Sequence, residues 1–338
     1  MGRVGRKIDQ LKFAWYCFQR ANDTRFVKNV KNLENEFERV SIESFGEKSN
    51  EDILYFIDMQ ESHSGFFADH NRLLSLLYFA DVYGLKPVVQ FSSGYCYAEH
   101  HPVNGTENPF EYYFQQPGGV SLEEMKKYKC VLHSRKENGN VVVSLKGGKG
   151  GYIRSERYID EMARITAKYI HLNETISRKF DKEIKQLLGD KKILAVHVRG
   201  TDFKQNFNGH PIQVSAGEYL QEAQRLFKAG SYDKVFLATD DSNALKLFKE
   251  QFQENLLCFE DVVRSDGDDT VMHSDIPREN HRYLLGVEVL RDMYTLASCA
   301  GLVAGLSQVS FAARIQKKSN GENYKDLLVI DKGINIHR

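Results

Sequence analysis

Three segments of the chain place polar side chains directly after short apolar runs. The first is ILAVHVRGTDF at 193–203, in which four apolar residues lead into His197, Val198 and Arg199. Strand side chains alternate between faces, so His197 and Arg199 point one way and Val198 the other. A cation at the carboxyl end of a strand, beside a turn opened by Gly200, stands where open α/β sheets bind ligands. On this segment alone, a surface arginine that closes an ordinary strand is an equally good interpretation.

The other two segments end in polar residues in the same way. VFLATDD ends in a pair of aspartates, and AGLSQVS ends just before a predicted helix. The first N–H groups of a helix lack intrahelical partners and lie at the positive end of its dipole. We therefore predict a phosphate-binding turn formed by Ser307, Gln308 and Val309, with Arg199 as a bidentate partner from a neighbouring strand.

The aspartate pair of VFLATDD, Asp240 and Asp241, has two interpretations. Neighbouring carboxylates can bind a divalent metal, but an aspartate after a strand is also a usual N-cap of the following helix, here SNALKLFKEQF. We favour the capping interpretation, and the sequence offers no convincing divalent-metal cage. A site without a metal ion is therefore expected.

Asp292 lies in the predicted helix EVLRDMYTLASCA, among apolar residues that include Val289, Met293 and Leu296. From this pattern alone it could be a plain surface residue, and a salt bridge of the adjacent Arg291 is an equally ordinary interpretation. The helix pattern therefore leaves the role of Asp292 open.

The elements that position these residues follow from the apolar pattern. In the first half, ILYFIDM and KPVVQF are typical of strands, and a run with helical spacing lies between them, after Gly65. In the second half, predicted strands start at residues 193, 235, 256, 301 and 327 and alternate with predicted helices. Such alternation predicts a doubly wound, mainly parallel sheet. We predict an α/β protein of two facing domains, residues 1–190 and 191–338.

Composition narrows the class of protein. The chain has 338 residues, with 46 Lys plus Arg and 46 Asp plus Glu, and this balance argues against a general nucleic-acid binder. Its five cysteines form no CxxC pair, which favours thiols in a reducing compartment. No signal peptide is apparent, and the most apolar window is interrupted by charges and too short to span a bilayer. We predict a cytoplasmic protein without a membrane span.

The same segments resemble the signatures of a known family. HVRGTDF followed by HPI is similar to the HxRxTD…HPI signature of the inverting fucosyltransferases that include the core α-1,6 enzymes, which make N-glycan core fucose and rhizobial nodulation factors. VFLATDD and the helix, strand and Ser-Gln-Val turn that follow agree in order and spacing, so the match covers roughly 193–318. The segment HSGFFADH matches their N-terminal glycine turn more loosely.

The resemblance implies roles for individual residues. Arg199 matches the arginine that holds the donor pyrophosphate, and Ser307 and Gln308 match the pair that contacts the same phosphates. Asp292 matches the aspartate that recognises guanine, and His197 lies where the family lines the nucleotide pocket. We add Val309, Gly65 and His70 to the predicted donor-binding residues. The implied fold is GT-B-like, with an N-terminal acceptor-side domain and a C-terminal, Rossmann-like domain for the nucleotide sugar.

Two departures from the family bear on catalysis. The core α-1,6 enzymes have a second arginine where this chain has Gly200, and they carry an acidic residue in the loop before HPI. The corresponding loop here, FKQNFNG, has no carboxylate, so Asp202 is the only carboxylate in the signature. We assign Asp202 a catalytic role beside Arg199, although it could instead cap the turn.

The expected activity is transfer of fucose from GDP-fucose to a hydroxyl of a glycan or oligosaccharide acceptor, with inversion and without a metal or cofactor. Arg199 and the N–H groups near Ser307 would stabilise the departing GDP. The alternative is a binding module that holds a nucleotide or nucleotide sugar without turnover, which the missing loop carboxylate favours slightly. A dinucleotide-dependent oxidoreductase is disfavoured, because no GxGxxG follows any predicted strand.

Overall fold

The structure is a computed structural model of the chain. It describes residues 41–48, 52–59, 64–146, 155–200, 207–266, 271 and 276–336, together with the pairs 7–8, 11–12, 14–15, 18–19 and 21–22. Asp202 lies outside the described residues. So do most of residues 5–40, where charges spread around apolar positions predict a helical start of the N-terminal domain.

The chain divides into two compact units. One consists of Met1–Ser64, Asp69–Ser144 and Arg164–Asn173, and the other of Gly65–Ala68, Leu145–Ala163 and Glu174–Arg338. The sheet of the second unit begins just after the predicted boundary between residues 190 and 191, and that boundary stays a prediction.

The first unit is built on a four-stranded sheet. Its strands are β1 (Ser41–Glu43), β2 (Leu54–Met59), β3 (Lys86–Phe91) and β4 (Val131–His133), in the order β1-β4-β2-β3. β2 pairs in parallel with β3 and β4, and β1 is antiparallel to β4. Helix α1 (Phe66–Val82) connects β2 to β3, so the predicted βαβ unit is confirmed. A short helix, α2 (Leu122–Met125), is capped by the Ser121 side chain.

The second unit contains the predicted doubly wound sheet. After helices α3 (Glu156–Tyr169) and α4 (Glu174–Leu188), strands and helices alternate. They are β5 (Ile193–Val198), α5 (Ala216–Gly230), β6 (Lys234–Thr239), α6 (Ser242–Phe252), β7 (Leu256–Leu257), α7 (His281–Ser298), β8 (Gly301–Gly305), α8 (Gln308–Ser319) and β9 (Asp326–Ile330). Every pairing in this sheet is parallel. The predicted α/β class is therefore confirmed.

The strand order of the second sheet is β7-β6-β5-β8-β9. The chain winds from β5 towards β7 in one direction and from β8 towards β9 in the other. The carboxyl ends of β5 and β8 are therefore the topological switch point, where open α/β sheets form their ligand-binding crevice. All six residues of β5 are buried, as expected for a central parallel strand.

Two helices cover one face of this sheet. Val196 and Val198 of β5 pack in one apolar cluster with Tyr219 of α5 and Phe248 of α6. α5 begins with a capping box in which the Ser215 and Glu218 side chains satisfy each other's backbone N–H. Because strand side chains alternate, His197 points away from this cluster. No described helix is long and apolar enough to cross a membrane.

Candidate functional site

His197 and Ser307 meet at the switch point. His197 is the fifth residue of β5, Ser307 follows β8, and His197 Nδ1 lies 3.3 Å from Ser307 Oγ. Both side chains are buried. Burial, followed by the charge of Arg199, lowers the pKa of His197 to about 4, so the ring is neutral at physiological pH. A neutral ring can accept from the Ser307 hydroxyl at Nδ1 and donate from Nε2.

Arg199 lies at the same edge and pairs with Asp240. Its Nη1 donates to Asp240 Oδ2 at 2.8 Å, and the Gly200 N–H donates to Asp240 Oδ1 at 3.0 Å. Asp240 thus holds both the guanidinium and the backbone of Gly200. A guanidinium presents five N–H donors, so it can hold Asp240 and an anion at the same time.

The acidic pair after β6 has divided roles. Asp241 is the N-cap of α6, accepting from the N–H groups of Asn243 at 2.8 Å and Ala244 at 3.3 Å, which confirms the capping interpretation for this residue. Asp240 instead pairs with Arg199, which sequence reasoning missed. The register of β5 against β6 would have revealed this pair. Val198 pairs with Thr239, so Arg199 and Asp240 follow at the same level.

Gly200 has a steric reason to be glycine. A Cβ added at Gly200 would lie 2.4 Å from the Cβ of Asp241, so a side chain does not fit without rearrangement. The second arginine that the resembling family carries at this position is therefore excluded by the neighbouring strand end.

The N-terminus of α8 is tightly capped. Ser307 Oγ accepts from the Ser310 N–H at 3.0 Å, and the Ser307 N–H lies 3.2 Å from Ser310 Oγ. The backbone N–H of Ser307 is thereby engaged within the cap. Gln308 and Val309 form the first turn of α8. The phosphate-binding turn stays a prediction.

Asp292 is buried in α7 with 8% of its surface exposed, so the surface interpretation is wrong. Within the part of the chain that the structure describes, its carboxylate makes no hydrogen bond. Burial is the main cause that raises the pKa of Asp292 to about 7, against the opposing charges of Arg291 and Arg264. A buried, unpaired carboxylate is costly unless a ligand satisfies it, which is consistent with its predicted role as a guanine acceptor.

Arg291, next to Asp292, has a structural role. Its guanidinium pairs with Glu183 at 2.8 Å and with Asp261 at 2.5 Å, and it stacks 3.9 Å from the ring centre of Phe259. These contacts tie α7 to α4 and to the loop after β7. They also hold the arginine charge beside Asp292.

Glu288, one turn before Asp292, anchors the same loop. Its carboxylate accepts from the Val263 N–H at 3.0 Å and from Arg278 Nη1 at 2.6 Å. Arg264 closes the loop on itself by donating to the Phe259 carbonyl at 2.7 Å. Sequence reasoning missed Glu288, because nothing in the helix pattern shows which loop covers it.

The end of this loop reaches the strand that carries Asp240. The Ser265 N–H donates to the Asp240 carbonyl at 2.9 Å, and the Ser242 N–H donates to the Ser265 carbonyl at 3.0 Å. The loop therefore joins the surroundings of Asp292 to the partner of Arg199.

The two predicted N-terminal site residues belong to different units. Gly65 lies just before α1 and belongs, with residues 66–68, to the second unit. Its carbonyl accepts from the Ala68 N–H at 2.9 Å. His70 lies in α1 in the first unit, buried against Phe114, and burial lowers its pKa to about 4. Their assignment to donor binding stays a prediction.

Among the described residues, no group of three or more His, Cys, Asp or Glu side chains could hold a metal ion. The charge at the switch point comes from Arg199, and the α8 dipole adds its positive end.

A parallel sheet with a cation, a neutral histidine and a capped helix N-terminus at its switch point is suited to binding a nucleotide. No family model matches the chain, and no curated protein matches it. Among solved structures, the chain is similar to the NodZ alpha-1,6-fucosyltransferase co-crystallised with GDP, at 19% identity and a TM-score of 0.48, covering 77% of this chain and 92% of that one.

Two further solved structures are similar at the same level. The fucosyltransferase NodZ from Bradyrhizobium is 18% identical, with a TM-score of 0.48 over 77% of this chain and 93% of its own. POFUT1 in complex with GDP-fucose is 12% identical, with a TM-score of 0.47 over 81% of this chain and 97% of its own. These likenesses are distant, so the function is inferred from the residues of the site.

Proposed function

We propose that this chain is a glycosyltransferase that transfers fucose from GDP-fucose to a hydroxyl of a glycan or oligosaccharide acceptor, with inversion and without a metal or cofactor. The observation that carries the proposal is the meeting of His197, Arg199 and Ser307 at the switch point of the second sheet. These are residues of the HxRxTD and Ser-Gln-Val segments that resemble the fucosyltransferase signatures.

The pyrophosphate of the donor binds at the switch point. Arg199 supplies a positive charge that Asp240 holds in place, and the first turn of α8 supplies N–H groups and the positive end of its dipole. His197 is neutral and adds a hydrogen-bond donor without a second charge. This arrangement favours an anion with several oxygens over a neutral ligand.

Catalysis consists mainly of helping GDP to leave. The acceptor oxygen forms a bond to the anomeric carbon while the bond from that carbon to the β-phosphate oxygen breaks, and GDP takes the bonding electron pair. Negative charge grows on the pyrophosphate, where Arg199 and the α8 N–H groups are already oriented. The acceptor proton needs a base, and Asp202 is the carboxylate that the signature offers for this step.

Asp292 provides the selectivity for guanine. The Watson–Crick edge of guanine presents two adjacent N–H donors, and one carboxylate accepts both. Adenine and uracil do not present this pair. Because the Asp292 carboxylate is buried and makes no hydrogen bond in the described residues, a guanine ring satisfies it where the other bases do not.

The described cysteines, Cys96, Cys130, Cys258 and Cys299, are thiols. A reducing compartment such as the cytoplasm suits this state, so we place the reaction there. Equal numbers of basic and acidic residues argue against a nucleic acid as the partner.

The alternative function is a binding module that holds GDP-fucose without turnover. The loop FKQNFNG favours it, because this loop has no carboxylate to act as a base. The two functions share the donor site and differ in whether the glycosidic bond to GDP breaks.

An assay of GDP release separates the two functions. The protein is incubated with GDP-fucose alone and with a panel of glycan acceptors, with and without EDTA, and free GDP and product mass are measured. We expect GDP release that an acceptor accelerates and EDTA leaves unchanged. Tight GDP binding without release under any condition would favour the binding module, and loss of release in EDTA would show that a metal is required.

A further inference from the structure

The described residues between positions 7 and 19 carry an exposed apolar stripe. Four large apolar side chains there belong to helical residues and have between 48% and 72% of their surfaces exposed, namely Ile8, Leu11, Trp15 and Phe18. Their spacing of three, four and three residues confines them to an arc of about 80° at 3.6 residues per turn. Trp15 and Phe18 stack with ring centres 5.8 Å apart. We call these four residues the apolar stripe.

The apolar stripe is a candidate binding surface. Single exposed apolar side chains are normal on a protein, whereas several large ones on one face mark a surface that a partner covers. A partner that removes them from water gains the hydrophobic free energy that the isolated chain forgoes. The remaining question is which kind of partner fits.

Two lysines border the apolar stripe, one on each side. On the same helical projection, Lys7 lies about 20° beyond Phe18, and Lys12 lies about 40° beyond Ile8. Both lysines are helical and exposed. A lysine in such a position extends its alkyl chain along apolar surface and keeps its ammonium in water. The two ammonium groups can therefore meet anionic groups on either side of the covered stripe.

The sequence around the apolar stripe is basic, although the whole chain has a formal net charge of zero. Residues 1–20 contain five basic residues and one acidic residue, which gives a side-chain charge of +4. They are Arg3, Arg6, Lys7, Lys12 and Arg20, against Asp9. Positive charge is thus concentrated in the segment that carries the stripe.

This charge favours a lipid surface over a second copy of the chain. Two copies that pair through the stripe would bring two segments of like charge together, which costs free energy. An anionic bilayer offers acyl chains to the stripe and negative headgroups to the bordering lysines. Tryptophan, phenylalanine and leucine opposite basic residues are also the composition of helices that lie in a membrane interface.

We propose that the apolar stripe inserts into the surface of an anionic lipid bilayer, with Lys7 and Lys12 among the headgroups. The chain would then lie on the membrane without spanning it. Binding would depend on both the apolar contact and the negative charge of the lipid, so it should weaken as the salt concentration rises. The inference is independent of the proposed function, because it uses none of the residues assigned to GDP-fucose.

Trp15 allows a direct test, since it is the only tryptophan in the sequence. The tryptophan emission of the whole chain is measured during titration with vesicles of phosphatidylcholine alone and of phosphatidylcholine with one-third phosphatidylglycerol. We expect the anionic vesicles to shift the emission to shorter wavelength and to protect it from quenching by acrylamide. Partition into the neutral vesicles should be weaker by about tenfold or more.

The apolar contact is tested by Leu11→Ser. Leu11 is 71% exposed, so its loss leaves the core intact, and partition into anionic vesicles should fall about tenfold. Leu327→Ser makes the same change at a leucine of β9 that is 45% exposed, and it should bind like the wild type. If thermal unfolding shows that Leu11→Ser does not fold, Phe18→Ser removes apolar area from the same face.

The charge contact is tested by a double variant, Lys7→Gln with Lys12→Gln. Its partition into anionic vesicles should fall about tenfold or more, while partition into neutral vesicles stays unchanged. The matched control is Lys182→Gln with Lys185→Gln, which removes the same charge from two exposed lysines of α4. This control should keep the wild-type partition.

Three results would overturn the proposal. The first is an emission spectrum that neither kind of vesicle shifts, and the second is equal partition into neutral and anionic vesicles. The third is an emission shift without lipid as the protein concentration rises, which would assign the stripe to a second copy of the chain. GDP release is measured in none of these experiments, so their failure leaves the proposed fucosyl transfer untouched.

Discussion

Both units reverse their strand order beside a central strand, and the pKa values of the histidines at the two reversal points are shifted in opposite directions. In the first sheet the reversal lies between β2 and β4, where His133 Nε2 is 3.7 Å from Asp58 Oδ2. Asp58 is the main cause that raises the pKa of His133. In the second sheet the reversal lies between β5 and β8, where burial and Arg199 lower the pKa of His197.

The difference shows that the neighbours of the histidine, and not the topology, set the chemistry of each edge. A carboxylate partner, Asp58, raises the pKa of His133. Burial and the Arg199 charge lower the pKa of His197 and keep it neutral, and the positive end of the α8 dipole lies at that edge beside the Arg199–Asp240 pair. Of the two edges, the second therefore suits a pyrophosphate.

Loss of the cation at the second edge should have the largest effect. Arg199→Ala removes an oriented, charged donor from the leaving group, and we expect kcat to fall about a hundredfold to a thousandfold. Arg199→Lys should recover little, because a lysine lacks the planar fork. Steady-state kinetics with GDP-fucose, together with thermal unfolding to show an intact fold, measure both variants.

A matched control for Arg199 is Arg225→Ala in α5, since Arg225 makes an exposed ion pair with Glu222. It should keep normal kinetics. Near-normal turnover and GDP affinity in Arg199→Ala would show that Arg199 does not hold the pyrophosphate.

The next largest effect is expected at Asp292, the residue proposed to bind the guanine ring. Asp292→Asn replaces one acceptor oxygen with an N–H donor, which opposes a guanine N–H. We expect GDP affinity to fall about tenfold to a hundredfold, or roughly 1–3 kcal/mol, and the preference for GDP over ADP and UDP to shrink. Isothermal calorimetry with the three nucleotides measures this. The exposed Asp181→Asn in α4 is the control, and equal GDP affinity in wild type and Asp292→Asn would contradict guanine recognition.

The pH dependence of GDP binding tests the same carboxylate. The pKa of Asp292 is raised to about 7, and the proposed contact with guanine requires the ionised carboxylate, so protonation should compete with the ligand. GDP affinity should therefore rise as pH increases through about 7 and level off above it. Titrations between pH 6 and 8.5 in wild type and Asp292→Asn check this, because the variant should lose this rise. A parallel rise in both would assign it to another group, such as the phosphates.

The sequence predicted the parts of the site that depend on local order. Alternation in β5 places His197 and Arg199 on one face, and the position of Asp241 before a helix predicts its cap. The pairing of Asp240 with Arg199 was not predictable, because it requires the register of β5 against β6. The burial of Asp292 was not predictable either, since it depends on which loop covers α7.

The strand after α6 shows a related limit. An apolar run predicts a strand over 256–259, but β7 ends at Leu257. The carbonyl of Phe259 is taken by the Arg264 side chain at 2.7 Å, so it is bonded within the loop instead of in the sheet. A side chain five residues away that bonds a backbone carbonyl is not visible in the apolar pattern of the strand.

The smallest expected effect lies at the first edge. A group with a raised folded pKa stabilises the fold below its unfolded pKa of about 6.5 and loses that contribution as pH rises through the folded value. His133 is such a group, facing Asp58 and Glu43, and it is partly exposed. His133→Gln should therefore lower the free energy of unfolding by about 0.2–1 kcal/mol at pH 5.5 and by less at pH 8.5. Urea unfolding at the two pH values measures the difference.

GDP binding provides the contrast between the edges for this variant. His133 belongs to the first unit, and the residues assigned to guanine and pyrophosphate belong to the second. Calorimetry of His133→Gln should therefore give the wild-type GDP affinity at pH 7.5, where Arg199→Ala gives a weaker one. A loss of GDP affinity in His133→Gln would show that the first edge takes part in holding the nucleotide. GDP binding would then depend on residues of both sheets, and the assignment of the nucleotide to the second edge alone would be wrong.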